Sequence, residues 1–161
     1  MPEPQTIKRA RQDAREGKSP STQAGEFVRE EIHHVREGKH GARSPQQAIA
    51  IGLSKARRAG VKLPAPKGSA AVREKATQDQ RAAERRNKPS SRRSQATEKA
   101  LQHEGHRSAS TAALSRQAKR TAAKRGKRAR SNSATKAAHT RTRNKKQETR
   151  NKKQETRKEH S

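Results

Sequence analysis

Between Gly105 and Gln147 the chain carries 14 basic residues and no acidic one. Like charges at that density repel one another and oppose any compact arrangement. Such a stretch cannot form the heart of a hydrophobic domain. It must hold counterions, and a polyanion displaces them with a gain in entropy. The imbalance extends over the whole chain but is uneven. Lys and Arg number 42 against 15 Asp and Glu, a formal charge of +27 on 161 residues. Residues 1–63 hold 13 basic and seven acidic side chains, a net of +6, whereas residues 64–161 hold 29 and eight, a net of +21. A nucleic-acid partner is the first expectation.

The apolar content sets the second limit. Only 25% of the residues are hydrophobic, with one Phe and no Tyr or Trp. Burial of so little apolar surface cannot offset the ordering entropy of the full chain, so one small folded unit with disordered or conditionally helical flanks is expected. The absence of cysteine excludes disulfides and thiolate metal sites. No run of 18 apolar residues is present, so no membrane span and no membrane partner are expected. Met1–Gln5 lacks the apolar core of a secretory signal, and Glu3, Asp13 and Glu16 argue against a transit peptide.

Residues 19–63 differ from the rest. Ser19-Pro20 reads as a helix cap followed by Pro at the first helical position. Ala24, Phe27, Val28, Ile32 and Val35 then recur at helical spacing, and Gly38 is the stop. Ser44-Pro45-Gln46-Gln47 opens a second helix with a cap, a Pro and a Gln three residues on. Ile49, Leu53 and Ala56 follow on one face, Gly52 permits close approach of the first helix, and Gly60 ends it with Val61 and Leu63 folding back. The expected fold is all-α, a helical hairpin over residues 19–63, with a homodimer through the hairpin as one way to enlarge its small core.

Around it, residues 1–18 form a charged segment with only Ile7 to anchor it, and residues 64–70 a linker. Residues 71–130 form an Ala/Lys/Arg-rich region, interrupted at Asn87–Ser91, which becomes stably helical when phosphates neutralise it. Residues 131–161 form a disordered basic tail. Within it Arg143–Thr149 recurs identically as residues 150–156, but no position of this seven-residue repeat is apolar, so no coiled-coil seam exists. Fainter echoes link Glu37–Ser44 with Glu104–Ser108 and Leu53–Ala56 with Leu114–Gln117, as a degenerate second hairpin would.

No catalytic constellation is visible: no Cys nucleophile, no phosphate-binding glycine loop, no Gly-x-Ser-x-Gly. The reading is a non-enzyme without cofactor. Glu30-x-x-His33 has metal-site spacing, but such sites need several helices. With His34, His40, Glu31 and Glu37 it is read as a polar helix face.

The basic segments carry the functional expectation. Lys55, Arg57, Arg58 and Lys62 close the second helix, where cations also complement the helix dipole. Lys119, Arg120, Lys124, Arg125, Lys127, Arg128 and Arg130 are denser than a dipole requires, and Lys145, Lys146, Lys152 and Lys153 extend the series. Except for Lys62, these are the candidate phosphate contacts. Single-strand and sequence-specific RNA recognition usually stacks bases on aromatic rings. Only Phe27 is available, in the hairpin core, so duplex DNA is favoured over RNA. Two alternatives remain: an RNA- or ribosome-associated basic protein, and a protein-interaction hairpin with a basic anchor.

The runs Gly17–Ile32, Arg36-Glu-Gly-Lys-His-Gly-Ala-Arg-Ser44 and Gln47-Ala-Ile-Ala-Ile-Gly-Leu-Ser-Lys-Ala-Arg57 resemble a small bacterial family of unknown function, often labelled plasmid stabilisation proteins. The basic remainder is similar in style to bacterial histone H1-like tails. The resemblance implies a cytoplasmic, nucleoid-associated, DNA-binding protein and supplies no catalytic residues.

Overall fold

A computed structural model describes residues 2–85 and 90–159, with side chains described as far as Asn151. Asn87, Lys88 and Pro89 of the expected chain break lie outside the described residues. Every regular element among the described residues is helical: α1 (Pro4–Arg15), α2 (Pro20–Arg36), α3 (Pro45–Arg58), α4 (Ala70–Glu84), α5 (Ser91–Gln102), a 3₁₀ turn (Arg107–Ala109) and α6 (Thr111–Glu159). The chain divides into two units, residues 1–117 and 118–161.

In the first unit α2 and α3 form the principal packed pair. Their starts follow the sequence signals. Ser19 Oγ accepts the Thr22 N–H at 3.3 Å, and Ser44 Oγ accepts the Gln47 N–H at 3.2 Å. Pro20 and Pro45 occupy the first turns, where a missing N–H costs nothing. Gln47 Oε1 accepts the Arg43 N–H, which ties the approach to α3 down from the other side. Gly38 and Gly60 take positive φ (75° and 93°) where the chain leaves α2 and α3.

The apolar stripe of α2 is buried as its spacing predicts, with Phe27 and Val35 fully enclosed. It feeds two small clusters. One joins Ala10, Ala24, Phe27, Ala56, Val61 and Leu63, with Ile7 and Leu53 against it. The other joins Val35, Ala42, Ala48 and Ala109, with Ile32 against it. Close contact replaces bulk in this core. A methyl group on Gly52 would meet the Val28 Cα at 2.7 Å and the Phe27 carbonyl oxygen at 3.0 Å.

The α2–α3 pair does not stand alone. α1 packs on α2, α4 on α3, and the 3₁₀ turn on both. Residues 1–18 are therefore more ordered than their single Ile suggests, because α1 also buries Thr6, Ala10 and Asp13. α4 docks with little apolar anchorage: Val72 is half exposed and only Ala76 of its apolar residues is buried, while Asp79 is buried, accepts the Ser54 hydroxyl at 2.6 Å and faces Arg58. The echo of the hairpin is not packed as a second hairpin, since among the described residues α5 buries nothing and packs on no other helix. Instead Leu101 and Gly105 accept the N–H groups of Gly41 and Ala42 at 2.8 and 3.0 Å, which fastens the α2–α3 loop.

Gly52→Ala tests the close approach. Helix propensity alone favours Ala by about 1 kcal/mol, whereas overpacking costs about 1–3 kcal/mol. Because the clash is with backbone, the expected result is a net loss of ~1–2 kcal/mol in urea unfolding; a gain would show that the helices can move apart freely.

Candidate nucleic-acid interface

The candidate basic residues fall into two environments. At the end of α3, Lys55 is drawn inward. Its Nζ lies 2.6 Å from Glu31 Oε2 and 3.6 Å from Glu30 Oε1, and its side chain is 22% exposed. Both carboxylates are buried, Glu31 completely. Glu30 Oε2 also accepts the Glu3 N–H at 3.1 Å. Buried carboxylates in so small a core demand a counter-charge, and Lys55 meets that demand. Arg57 is buried at 8% exposure. Arg58 is nearly half exposed, with Nε 3.5 Å from Asp79 Oδ1. This trio is built largely into the fold, rather than displayed as its spacing suggested.

Around α1 and α2, acidic residues are matched close at hand. Arg9 reaches Glu26 at 3.1 Å, and Lys18 lies 2.7 Å from both Asp13 and Glu16. Hydrogen bonds from Lys18 and Gln12 hold the Glu16 carboxyl below its ordinary value, and bonds to Asp13 and then Glu16 raise Lys18. Bonds to His34 and Lys39 lower Glu3 likewise.

The second unit is different in kind. Residues 118–161 hold 17 basic and three acidic side chains, a net of +14 on 44 residues. Lys119, Arg120, Lys124, Arg125, Lys127, Arg128, Arg130, Lys145 and Lys146 are all exposed on α6. The side chains of Lys152 and Lys153 lie outside the described residues. Sequence reasoning passed over Lys136, Arg141, Arg143 and Arg150, which are exposed on the same helix; the signal was the same charge density, without adjacent pairs to draw attention. At 100° per residue these cations point in every direction around the axis. Thr135, Thr140, Thr142 and Thr149 return their hydroxyls to carbonyls one turn back.

α6 is interrupted once. Gly126 takes φ 69° and ψ 165°, outside helical space. Across the break the Arg130 guanidinium donates to the Ala122 carbonyl at 2.9 Å, and Arg125 donates to Ser133 Oγ at 2.6 Å. The long basic helix is thus two segments pinned by two of its own arginines.

The polar helix face expected around Glu30 and His33 is not all exposed: Glu30 and Glu31 are buried. Glu30 is buried against Lys55, and His33 is exposed beside Glu37 at 3.1 Å. Glu31, His34 and His40 converge instead. Among the described residues no helix is long and apolar enough to cross a membrane.

Residues 17–67 match a family of unknown function, DUF6496. The matched stretch spans α2, α3 and the chain after them, and leaves α6 outside. No curated protein and no solved structure matches the chain.

Two outcomes follow from these placements. Lys55→Met should destabilise the fold by ~3–5 kcal/mol, the usual result of leaving buried carboxylates without their partner; unchanged stability with weakened duplex binding would return Lys55 to the interface. Lys18→Met should let Glu16 titrate nearer its ordinary 4.5, read from the side-chain carboxyl resonance. Because Glu16 is lowered in the folded state, its contribution to stability is present above 4.5 and lost as pH falls below it.

Proposed function

We propose that the chain binds duplex DNA without strong sequence preference, α6 neutralising phosphates and the first unit acting as a folded anchor. The observation that carries this reading is the density of charge: residues 1–117 hold 25 cations and 12 anions, a net of +13 with several ion pairs, while residues 118–161 hold 17 cations and three anions, a net of +14 on 44 residues. An α-helix about 10–12 Å across fits a major groove about 12 Å wide. Cations on all sides of such a helix can reach phosphates on both flanking strands. The helix is stabilised in the same event, since phosphates remove the repulsion between its own side chains.

The proposed contacts are Lys119, Arg120, Lys124, Arg125, Lys127, Arg128, Arg130, Lys145, Lys146, Lys152 and Lys153, with Arg58 at the exposed end of α3. Free, the basic flanks are conditionally helical or disordered. The physiological setting is a bacterial nucleoid, and compaction or maintenance of a plasmid is the kind of role such binding serves.

Duplex binding should weaken by ~10³–10⁵ between 50 and 200 mM salt if about 6–10 phosphates are engaged. Replacing Lys119, Lys124, Lys127 and Arg128 together by Ala should flatten the log–log slope by about 3.6, at about 0.9 per contact. A slope indifferent to these changes would remove α6 from the interface. Stronger binding to structured RNA in the same titration would move the reading to an RNA-associated protein.

A further inference from the structure

Glu31 and His34 on α2 and His40 in the α2–α3 loop each bring one ligating atom within 4.8 Å of the others. Glu31 is fully buried, and neither of its oxygens receives a well-directed hydrogen bond. Lys55 serves Oε2 as a charge at 2.6 Å, while Oε1 faces His40 Nε2 at 3.3 Å.

The tautomer of His40 makes that second contact informative. Its Nδ1 lies 3.1 Å from the Gly41 carbonyl, which can only accept, so Nδ1 carries the proton. In the neutral ring Nε2 is then a bare lone pair aimed at a carboxylate oxygen. Two acceptors face each other, and a cation between them, either a proton on Nε2 or a metal ion, resolves the conflict. Two ligands about 2.1 Å from a tetrahedral ion stand about 3.4 Å apart, close to the spacing seen. A ligating imidazole also ordinarily donates its other N–H to a carbonyl, as His40 does.

The surroundings favour this arrangement. The Gly41 backbone is fastened to Leu101, and its Cα abuts the Glu104 backbone, so His40 is held in place. Glu3 Oε1, 2.9 Å from His34 Nε2, orients that ring from the rim. Glu3, Glu30 and Glu31 outnumber Lys39 and Lys55, so with neutral imidazoles the pocket is net negative within a strongly positive chain.

We propose that Glu31, His34 and His40 bind a divalent transition metal of the Zn²⁺ class, two imidazoles and one carboxylate suiting such ions over Mg²⁺ or Ca²⁺. The ion clamps the α2–α3 loop to α2. The test is calorimetric titration of the untagged full chain with Zn²⁺, with imidazole resonances followed in parallel. Expected are one saturable site per chain, perturbation of the His34 and His40 rings, at least tenfold weaker binding in His34→Gln and His40→Gln, and no change in His33→Gln. Absence of a saturable site, or binding indifferent to both substitutions, overturns the proposal. Should either variant fail to fold, the wild-type resonances decide: perturbation confined to histidines other than His34 and His40 also overturns it.

Discussion

Two carboxylates buried on one helix organise the first unit. Glu30 and Glu31 sit on the face of α2 that carries Phe27 and Val35, where a charge without a partner would unfold so modest a core. Their needs recruit neighbouring elements. α3 supplies Lys55 and the start of α1 supplies the Glu3 N–H, while the α2–α3 loop brings His40 against Glu31. The polar cluster therefore specifies which elements meet, while the apolar clusters on either side supply ordinary burial. A core of Ala, Val and one Phe could slide between several helix registers. A lysine that must reach two buried carboxylates permits few of them.

The same logic explains why α4 belongs to the fold. With Val72 half exposed, its attachment rests on the small buried Ala76 and on Asp79, buried and served by Ser54, Lys75 and Arg58. Charge thus plays opposite parts along the chain. In the first unit the buried carboxylates of Glu30, Glu31 and Asp79 face cations, and these buried ion pairs stand where a richer sequence would place leucines. In residues 118–161 the three acidic residues cannot do this for 17 cations.

Legibility in the sequence follows from how local each determinant is. The caps at Ser19 and Ser44, the stops at Gly38 and Gly60, the α2 stripe and the close approach at Gly52 depend on residues within one or two turns, and they could be read. The docking of α1 and α4 could not, because it depends on Glu30 and Asp79 becoming buried, which polar residues do only when distant partners arrive. Lys55 is the instructive case. Its position in a basic cluster resembled a phosphate contact, and only the fold shows two carboxylates beneath it. Likewise Glu30-x-x-His33 has the spacing of a ligand pair, yet the converging side chains come from Glu31, His34 and a loop residue whose approach no spacing encodes.

The tail separates periodicity from amphipathicity. Its seven-residue repeat matches a coiled-coil period, yet Lys, Arg, Asn, Gln, Glu and Thr occupy all positions, so no face of the helix gains by meeting another helix. What such a helix lacks is anions: residues 118–161 hold three for 17 cations. The break at Gly126 sharpens the point: Arg125 and Arg130 satisfy hydroxyl and carbonyl groups across it, whereas the cations beside them, Lys124, Lys127 and Arg128, project into solvent. A surface whose only unmet demand is negative charge selects its partner by electrostatics before shape. A regular array of phosphates meets that demand along the whole length of the helix, which a single acidic protein surface does over only a part.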